Sequence, residues 1–210
     1  VTEPNRREVG RHRLTGEALR RAVLARLSTV ALVVGTLVVG SVLLPLKPHG
    51  IAFQRPFVRG GVMGKPVEAR LFRVTVLDAT GGAQLKSDPP IDTPGVWIVV
   101  RVRAVALTEP VAIGYAALRD DRGRIFHASQ KIDQPLIGGR TLQPGVPVEG
   151  EVVFEVPRDA VGHVSAQFAQ HSQLTLDAVA EVPLPIGKTD VDGWLAEKKV
   201  VTVLKTKTVT

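Results

Sequence analysis

Between Leu27 and Leu46 the chain runs for twenty residues without a charge, LSTVALVVGTLVVGSVLLPL. At about 1.5 Å of rise per residue, a helix of that length spans the roughly 30 Å hydrocarbon core of a bilayer. A helix also satisfies every backbone polar group internally, which lipid requires. The run therefore predicts a single transmembrane α-helix over 27–46. Within it, Ser28, Ala31 and Gly35 form a seam of small residues of the kind that lets helices pack closely in lipid.

The flanks set an orientation. Seven arginines stand against three glutamates in residues 1–26, and residues 47–63 carry Lys47, Arg55 and Arg59 with no acid. Basic residues are retained on the cytoplasmic side of a span, so the reading is N-terminus inside, with the remainder of the chain extracytoplasmic. A cleaved signal peptide is the competing reading, since such peptides are also basic and then apolar. Their apolar core is shorter, about 7 to 15 residues with a small-x-small cleavage site, and this run leaves instead through Pro45-Leu46-Lys47-Pro48. Retention as an anchor is preferred.

The net charge of +7 raises nucleic acid as a partner. Its location argues otherwise: residues 65–185 hold 12 Lys and Arg against 14 Asp and Glu, so the excess lies beside the apolar run. Arginines there are explained by topology and by anionic headgroups, and no nucleic-acid partner is expected. The chain has no cysteine, which removes disulfides, thiolate metal sites and a cysteine nucleophile together. The Ala, Val, Arg, Gly and Pro bias resembles that of high-GC bacteria such as actinobacteria.

Beyond the apolar run, residues 47–64 contain Pro48, Pro56, Gly50, Gly60, Gly61 and Gly64 and read as a Pro/Gly tether. From 65 to 185 the pattern has period two. Phe72, Val74 and Val76 alternate with Arg73 and Thr75; Ile98, Val100 and Val102 with Arg101 and Arg103; Val152, Phe154 and Val156 with Glu155; Val164, Ala166 and Phe168 with Ser165 and Gln167; Leu174 and Leu176 with Thr175 and Asp177. Such alternation marks strands with one buried face. Turn clusters separate them, among them Gly81-Gly82, Asp88-Pro89-Pro90 and Asp120-Asp121-Arg122-Gly123, the last flanked by a hairpin. Six or seven short strands with no helical pattern between them predict an all-β, antiparallel β-sandwich of two sheets.

The series Trp97-Ile98-Val99-Val100-Arg101-Val102, Leu118-Arg119-Asp120-Asp121-Arg122-Gly123-Arg124-Ile125-Phe126 and Leu142-Gln143-Pro144-Gly145, leading to Phe154-Glu155-Val156-Pro157, resembles the telokin-like, immunoglobulin-like domain of bacterial surface proteins and lipoproteins. The resemblance covers about residues 64–180 and implies an immunoglobulin-like sandwich in a cell-envelope setting. It implies no shared catalytic site. This chain lacks the Asn that the family places after the valine strand, and it continues about thirty residues past the family's usual end.

Chemistry-bearing patterns are sparse. His12, His49, His127, His163 and His171 do not stand at ligand spacing with one another, and Asp120-Asp121 lacks the alternating oxygen ligands of a calcium loop. Nucleophile elbows and phosphate-binding loops are absent from the contexts they need. No catalytic residue, metal or cofactor is expected.

Two regions stand out as candidate partner surfaces. Trp97 lies opposite Ile98 and Val100, beside Val99, so its strand is apolar on both faces; either loops cover it or it forms an exposed docking patch. In the extension 186–210, Thr189 or Asp190 can cap a short helical turn that aligns Val191, Trp194 and Leu195. Val200 to Val209 then has the β-branched composition of a strand, with Val201 and Val203 on it. That strand joins either its own sandwich or a partner's sheet. The expected function is a non-catalytic, membrane-anchored extracytoplasmic accessory subunit that binds or braces another cell-envelope complex such as a transporter. The alternative is a module that captures a lipid, glycan or peptide.

Overall fold

The computed structural model describes residues 26–27, 30–39, 41 and 55–209. The chain divides into two compact units, Val1–Phe53 and Gln54–Thr210. In the first, residues 30–39 are helical, and Val30, Leu32, Val33, Val34, Leu37, Val38 and Val39 are all exposed. Among the described residues no helix is long and apolar enough to cross a membrane. The rest of the expected span, 28–29, 40 and 42–46, lies outside them, as do the arm before Arg26 and residues 47–54 of the tether.

The second unit is a β-sandwich. Its smaller sheet runs in the order β1 (Phe57–Gly60), β11 (Ala178–Pro183), β10 (Val164–Ala169), β6 (Tyr115–Asp120), β7 (Ile125–His127). Its larger sheet runs β12 (Val200–Val201), β3 (Phe72–Leu85), β4 (Ile91–Ala106), β9 (Val148–Val156), β13 (Lys207–Thr208), with β2 (Pro66–Glu68) also on β3. A third pair joins β5 (Val111–Ala112) to β8 (Thr141–Leu142). The core lies between the two main sheets. Phe72, Val74 and Val76 of β3, Ile98, Val100 and Val102 of β4, and Val152, Phe154 and Val156 of β9 meet Leu118, Ala166, Phe168 and Val182 from the facing sheet. Each of these residues is almost wholly buried, and burial of that apolar surface is the main force holding the layers together.

The structure departs from the sequence expectation in five places. Two pairings are parallel, β1 with β11 and β12 with β3, so the sandwich is not purely antiparallel. Phe57–Gly60, expected as tether, is an edge strand: the Phe57 N–H donates to the Asp177 carbonyl at 2.8 Å and the Gly61 N–H to that of Glu181 at 2.9 Å. Leu174 to Asp177 is not a strand; Leu176 has φ +56° and is exposed, and the strand begins at Ala178. The short helix spans Lys188–Ala196, with Gly187 rather than Thr189 or Asp190 at its N-cap. Asp190 lies one turn in and accepts the Gly187 N–H at 2.8 Å.

The fifth departure explains the shape of the tail. Gly81-Gly82, expected as a turn, lies inside β3 and pairs with Ile98 and Trp97 of β4. A Cβ on Gly81 would collide with the Trp194 indole, and one on Gly82 with Val201 Cγ2 and the Lys199 carbonyl. The two glycines are therefore a saddle where the tail presses against β3, not a chain reversal. From there the Lys199 carbonyl accepts the Ala83 N–H at 2.9 Å and the Val201 carbonyl accepts the Lys86 N–H at 2.8 Å. The chain then reaches the opposite edge of the same sheet, where β13 pairs antiparallel with β9 and Glu151 accepts the Leu204 N–H at 2.7 Å. Of the two homes open to the tail, the structure has it on its own domain.

Candidate functional site

Trp97, Val201 and Val203 come together on the outer face of the larger sheet. Trp97 is 0% exposed and packs with Leu85, Val99, Val153 and Val201, with Ile91, Ile132 and Val203 at the margin. Its indole Nε1 donates to the Ile91 carbonyl at 3.1 Å. The Lys131 ammonium stands 5.3 Å from the ring centre, within reach of a cation–π attraction, and is held there by Glu155 at 2.7 Å. Burial pushes the Glu155 carboxyl up, but the Lys131 and Thr93 hydrogen bonds and the lysine charge outweigh it and leave it below its usual range. Trp97 is thus the interior of a small second core, and an exposed docking patch at this position is ruled out. Loops and the tail cover the strand.

Trp194 and Leu195 pack from the C-terminal helix against the main core and are partly buried. Lys199 lies 5.1 Å from the Trp194 ring centre and donates to Thr80 Oγ1 at 3.0 Å. The five residues expected to meet a partner therefore fasten the tail to its own sandwich. In the helical stretch, Ala31 and Gly35 stand one turn apart, with nothing within 4 Å of a Cβ placed on Gly35. Ser28 lies outside the described residues.

A concave surface of some size lies elsewhere on the sandwich. A groove of about 680 Å³ runs beside the β6–β7 hairpin and the 128–139 loop, lined by Tyr115, His127, Lys131, Asp133, Gln134 and Ser172 among others. Gln134 fixes the loop: its Oε1 accepts the Val153 N–H at 2.8 Å, and its Nε2 donates to the Val153 carbonyl at 3.3 Å and to that of Ser129. The Tyr115 ring meets His127 edge to face at 5.5 Å, and burial pushes the phenol up. Beside it β7 ends the smaller sheet, and the chain that continues it is bridged to β9: Ala128 pairs with Phe154, and the Ser129 N–H donates to the Val153 carbonyl at 2.7 Å. Sequence reading missed these residues, because an irregular loop carries no period and only its 128–139 length and polar content mark it.

Of the titratable residues singled out in the sequence, Asp120 and His171 have charged partners, while His12 and His49 lie outside the described residues. Asp120, with its side chain inaccessible, accepts the Arg124 N–H at 2.7 Å and pairs with the Arg124 guanidinium at 2.6 Å. The Arg124 guanidinium also reaches Asp159 at 2.9 Å, tying the hairpin to the segment before β10. His171 Nδ1 lies 3.2 Å from Asp177. Among the described residues no group of three or more His, Cys, Asp or Glu is placed to hold a metal ion.

No protein-family model matches the chain, and no curated protein is similar to it at a significant level. Among solved structures it is similar to the 1.5 Å crystal structure of MPT63, a secreted protein from Mycobacterium tuberculosis. The TM-score is 0.45 and the identity 17%, over 60% of this chain and 98% of that one. A likeness so distant carries nothing about function. The β-sandwich stands on its own strand pairing, and the telokin-like relation stays a resemblance.

Proposed function

We infer that this chain is a non-catalytic accessory subunit, anchored by one N-terminal span and holding its sandwich outside the membrane, where it binds another cell-envelope protein. The anchor is supported by the uncharged run of 27–46 and by residues 30–39, which are helical and present apolar side chains on every side. A helix that is apolar all round belongs in a protein core or in lipid. The observation that carries the binding role is the groove beside the end of β7, a trough of about 680 Å³ lined by Tyr115, His127, Lys131, Asp133 and Ser172. The trough offers its aromatic, charged and hydroxyl side chains to the polar groups of an extended segment of a partner. Asp120 and Glu155, whose carboxyls are shifted, are both engaged in ion pairs that brace the sandwich, which is the work of structure and not of catalysis.

A photo-crosslinker placed at Gln130, on the groove wall, is expected to yield one discrete adduct with an envelope protein, and one at Asp121, on the far turn, none. Asp133→Arg should abolish the adduct without changing the melting temperature. If the chain purifies alone in mild detergent and a small molecule raises its melting temperature, the second reading holds: capture of a lipid, glycan or peptide. The groove's volume favours that reading, since ligand pockets span about 300 to 1,000 Å³. Orientation is checked with an impermeant maleimide on intact cells, where Asp121→Cys should label and Thr15→Cys should not; the reverse pattern refutes it.

A further inference from the structure

Four apolar side chains at the start of the sandwich face solvent: Phe57 at 63% exposure, Val58 at 51%, Val62 at 61% and Met63 at 37%. All four residues of β1 are exposed. Successive side chains of a strand point to opposite faces, so Phe57 and Val58 put apolar surface on both sides of an edge strand. A strand serving only its own sandwich buries one face; this one pairs with β11 through its backbone while both of its faces stay exposed. Val58, Val62 and Lys65 share one shallow hollow with Glu181, whose carboxylate already accepts Gln167 Nε2 at 2.7 Å. Arg55, Arg59 and Lys65 are exposed around the apolar residues, and no acid occurs from 47 to 63.

Two observations name what covers this patch. Its chemistry, apolar side chains including an aromatic one flanked by Arg55, Arg59 and Lys65, is that of a segment seated at the boundary of acyl chains and anionic headgroups. Its position in the chain points the same way: Phe57 follows the end of the apolar run by eleven residues, which fully extended span at most roughly 40 Å. The patch cannot stray far from a membrane that holds that run, whereas a protein partner would require no such proximity.

We propose that Phe57, Val58, Val62 and Met63 seat in the headgroup region of an anionic bilayer, with Arg55 and Arg59 on lipid phosphates. This rests on the anchored reading and adds to it that the sandwich lies against the lipid surface by its first edge strand. That leaves the groove beside β7, at the other end of the same sheet, for a protein.

The chain has no cysteine, so single labels are clean. The full chain carrying Val62→Cys with an environment-sensitive fluorophore is reconstituted into vesicles of phosphatidylcholine and phosphatidylglycerol, beside a control labelled at Asp121→Cys. The label at 62 should emit to the blue of the control and be quenched at least about twofold more by a spin-labelled lipid. Arg55→Glu with Arg59→Glu, or vesicles of phosphatidylcholine alone, should reduce that quenching. Flotation with the vesicles reads the anchor separately. A chain that floats while the label at 62 remains in water overturns this proposal and leaves the anchor standing; a chain that does not float overturns both. Oxidation to a dimer linked through Val62→Cys, with a blue shift and no lipid quenching, would assign the patch to a second copy and overturn the bilayer as its occupant.

Discussion

Gly82 lies so close beneath Val201 that a methyl group on the glycine would stand 2.5 Å from the valine Cγ2 and 2.6 Å from the Lys199 carbonyl oxygen. The second contact is with backbone, which cannot swing away as a side-chain tip can. Gly82→Ala should therefore lift the tail from β3 and destabilise the sandwich by about 1 to 3 kcal/mol, the usual range for overpacking. Gly60→Ala is the control, since nothing lies within 4 Å of its Cβ position; it should change stability by less than about 0.5 kcal/mol. Urea titration of both variants checks the difference, and equal effects would show that the tail is not seated on Gly82.

Removing the tail should do more. With residues 188–210 absent, Trp97, Val99 and Val153 lose the cover of Val201 and Val203, and the main core loses Val191, Trp194 and Leu195. Fully burying one such side chain contributes about 1.5 to 3 kcal/mol, so the deletion should cost several kcal/mol. The expected readouts are a lowered urea midpoint, binding of a hydrophobic dye, and red-shifted emission from Trp97, which is then the single tryptophan left. Sequence reading alone predicts a domain that stays folded and loses a partner. An unchanged midpoint would restore that view and return the tail to partner binding.

The alternation of Phe72, Val74 and Val76, of Ile98, Val100 and Val102, and of Val152, Phe154 and Val156 was legible because these residues share the face of each strand that packs between the sheets, and a period of two records that directly even where Trp97, Val99 and Val153 bury part of the other face. The hairpin around Asp120 to Gly123 was legible for a similar reason: Gly123 has φ +79°, and the Asp120 side chain caps the turn through the Arg124 N–H. What escaped depends on residues distant in sequence. Gly81 and Gly82 look like a turn until Trp194 and Val201 occupy the space above them, and Leu174 and Leu176 alternate by coincidence in a segment that reverses at Leu176. Phe57–Gly60 is too short, and too exposed on both faces, to alternate at all. Of the candidate site, the cluster residues Trp97, Val201 and Val203 were visible as apolar anomalies, but whether they face a partner or one another is a tertiary fact. The groove loop has no period for local sequence to record, only its length and polar content.

Phe154 tests the core itself. It is wholly buried mid-strand in β9, opposite Ile98, within the cluster that joins the two sheets. Phe154→Ala should cost about 3 to 5 kcal/mol, combining the lost transfer of the ring from water with the cavity left behind. Stability of a domain this size is itself only about 5 to 15 kcal/mol, so the variant should melt far below the parent. A near-neutral shift would mean that the ring is not in the inter-sheet core.

The Asp120–Arg124 pair gives the sandwich an acid-dependent component. Burial pushes the Asp120 carboxyl up, but the hydrogen bonds and charge of Arg124 outweigh it and hold the group below its ordinary value. A carboxyl depressed in the folded state contributes stability that is fully present above its unfolded value, about 3.9, and is lost as pH falls through the lower folded value. Asp120→Asn keeps the shape and removes the charge, and it leaves the Arg124 guanidinium with Asp159 as its remaining acidic partner. The variant should therefore melt below the parent at neutral pH by a constant margin. That margin should close only as the pH is taken beneath about 4. Melting temperatures of the two proteins across the acid range measure it directly, and a margin that stays constant through that range would mean that the ion pair contributes nothing to the fold.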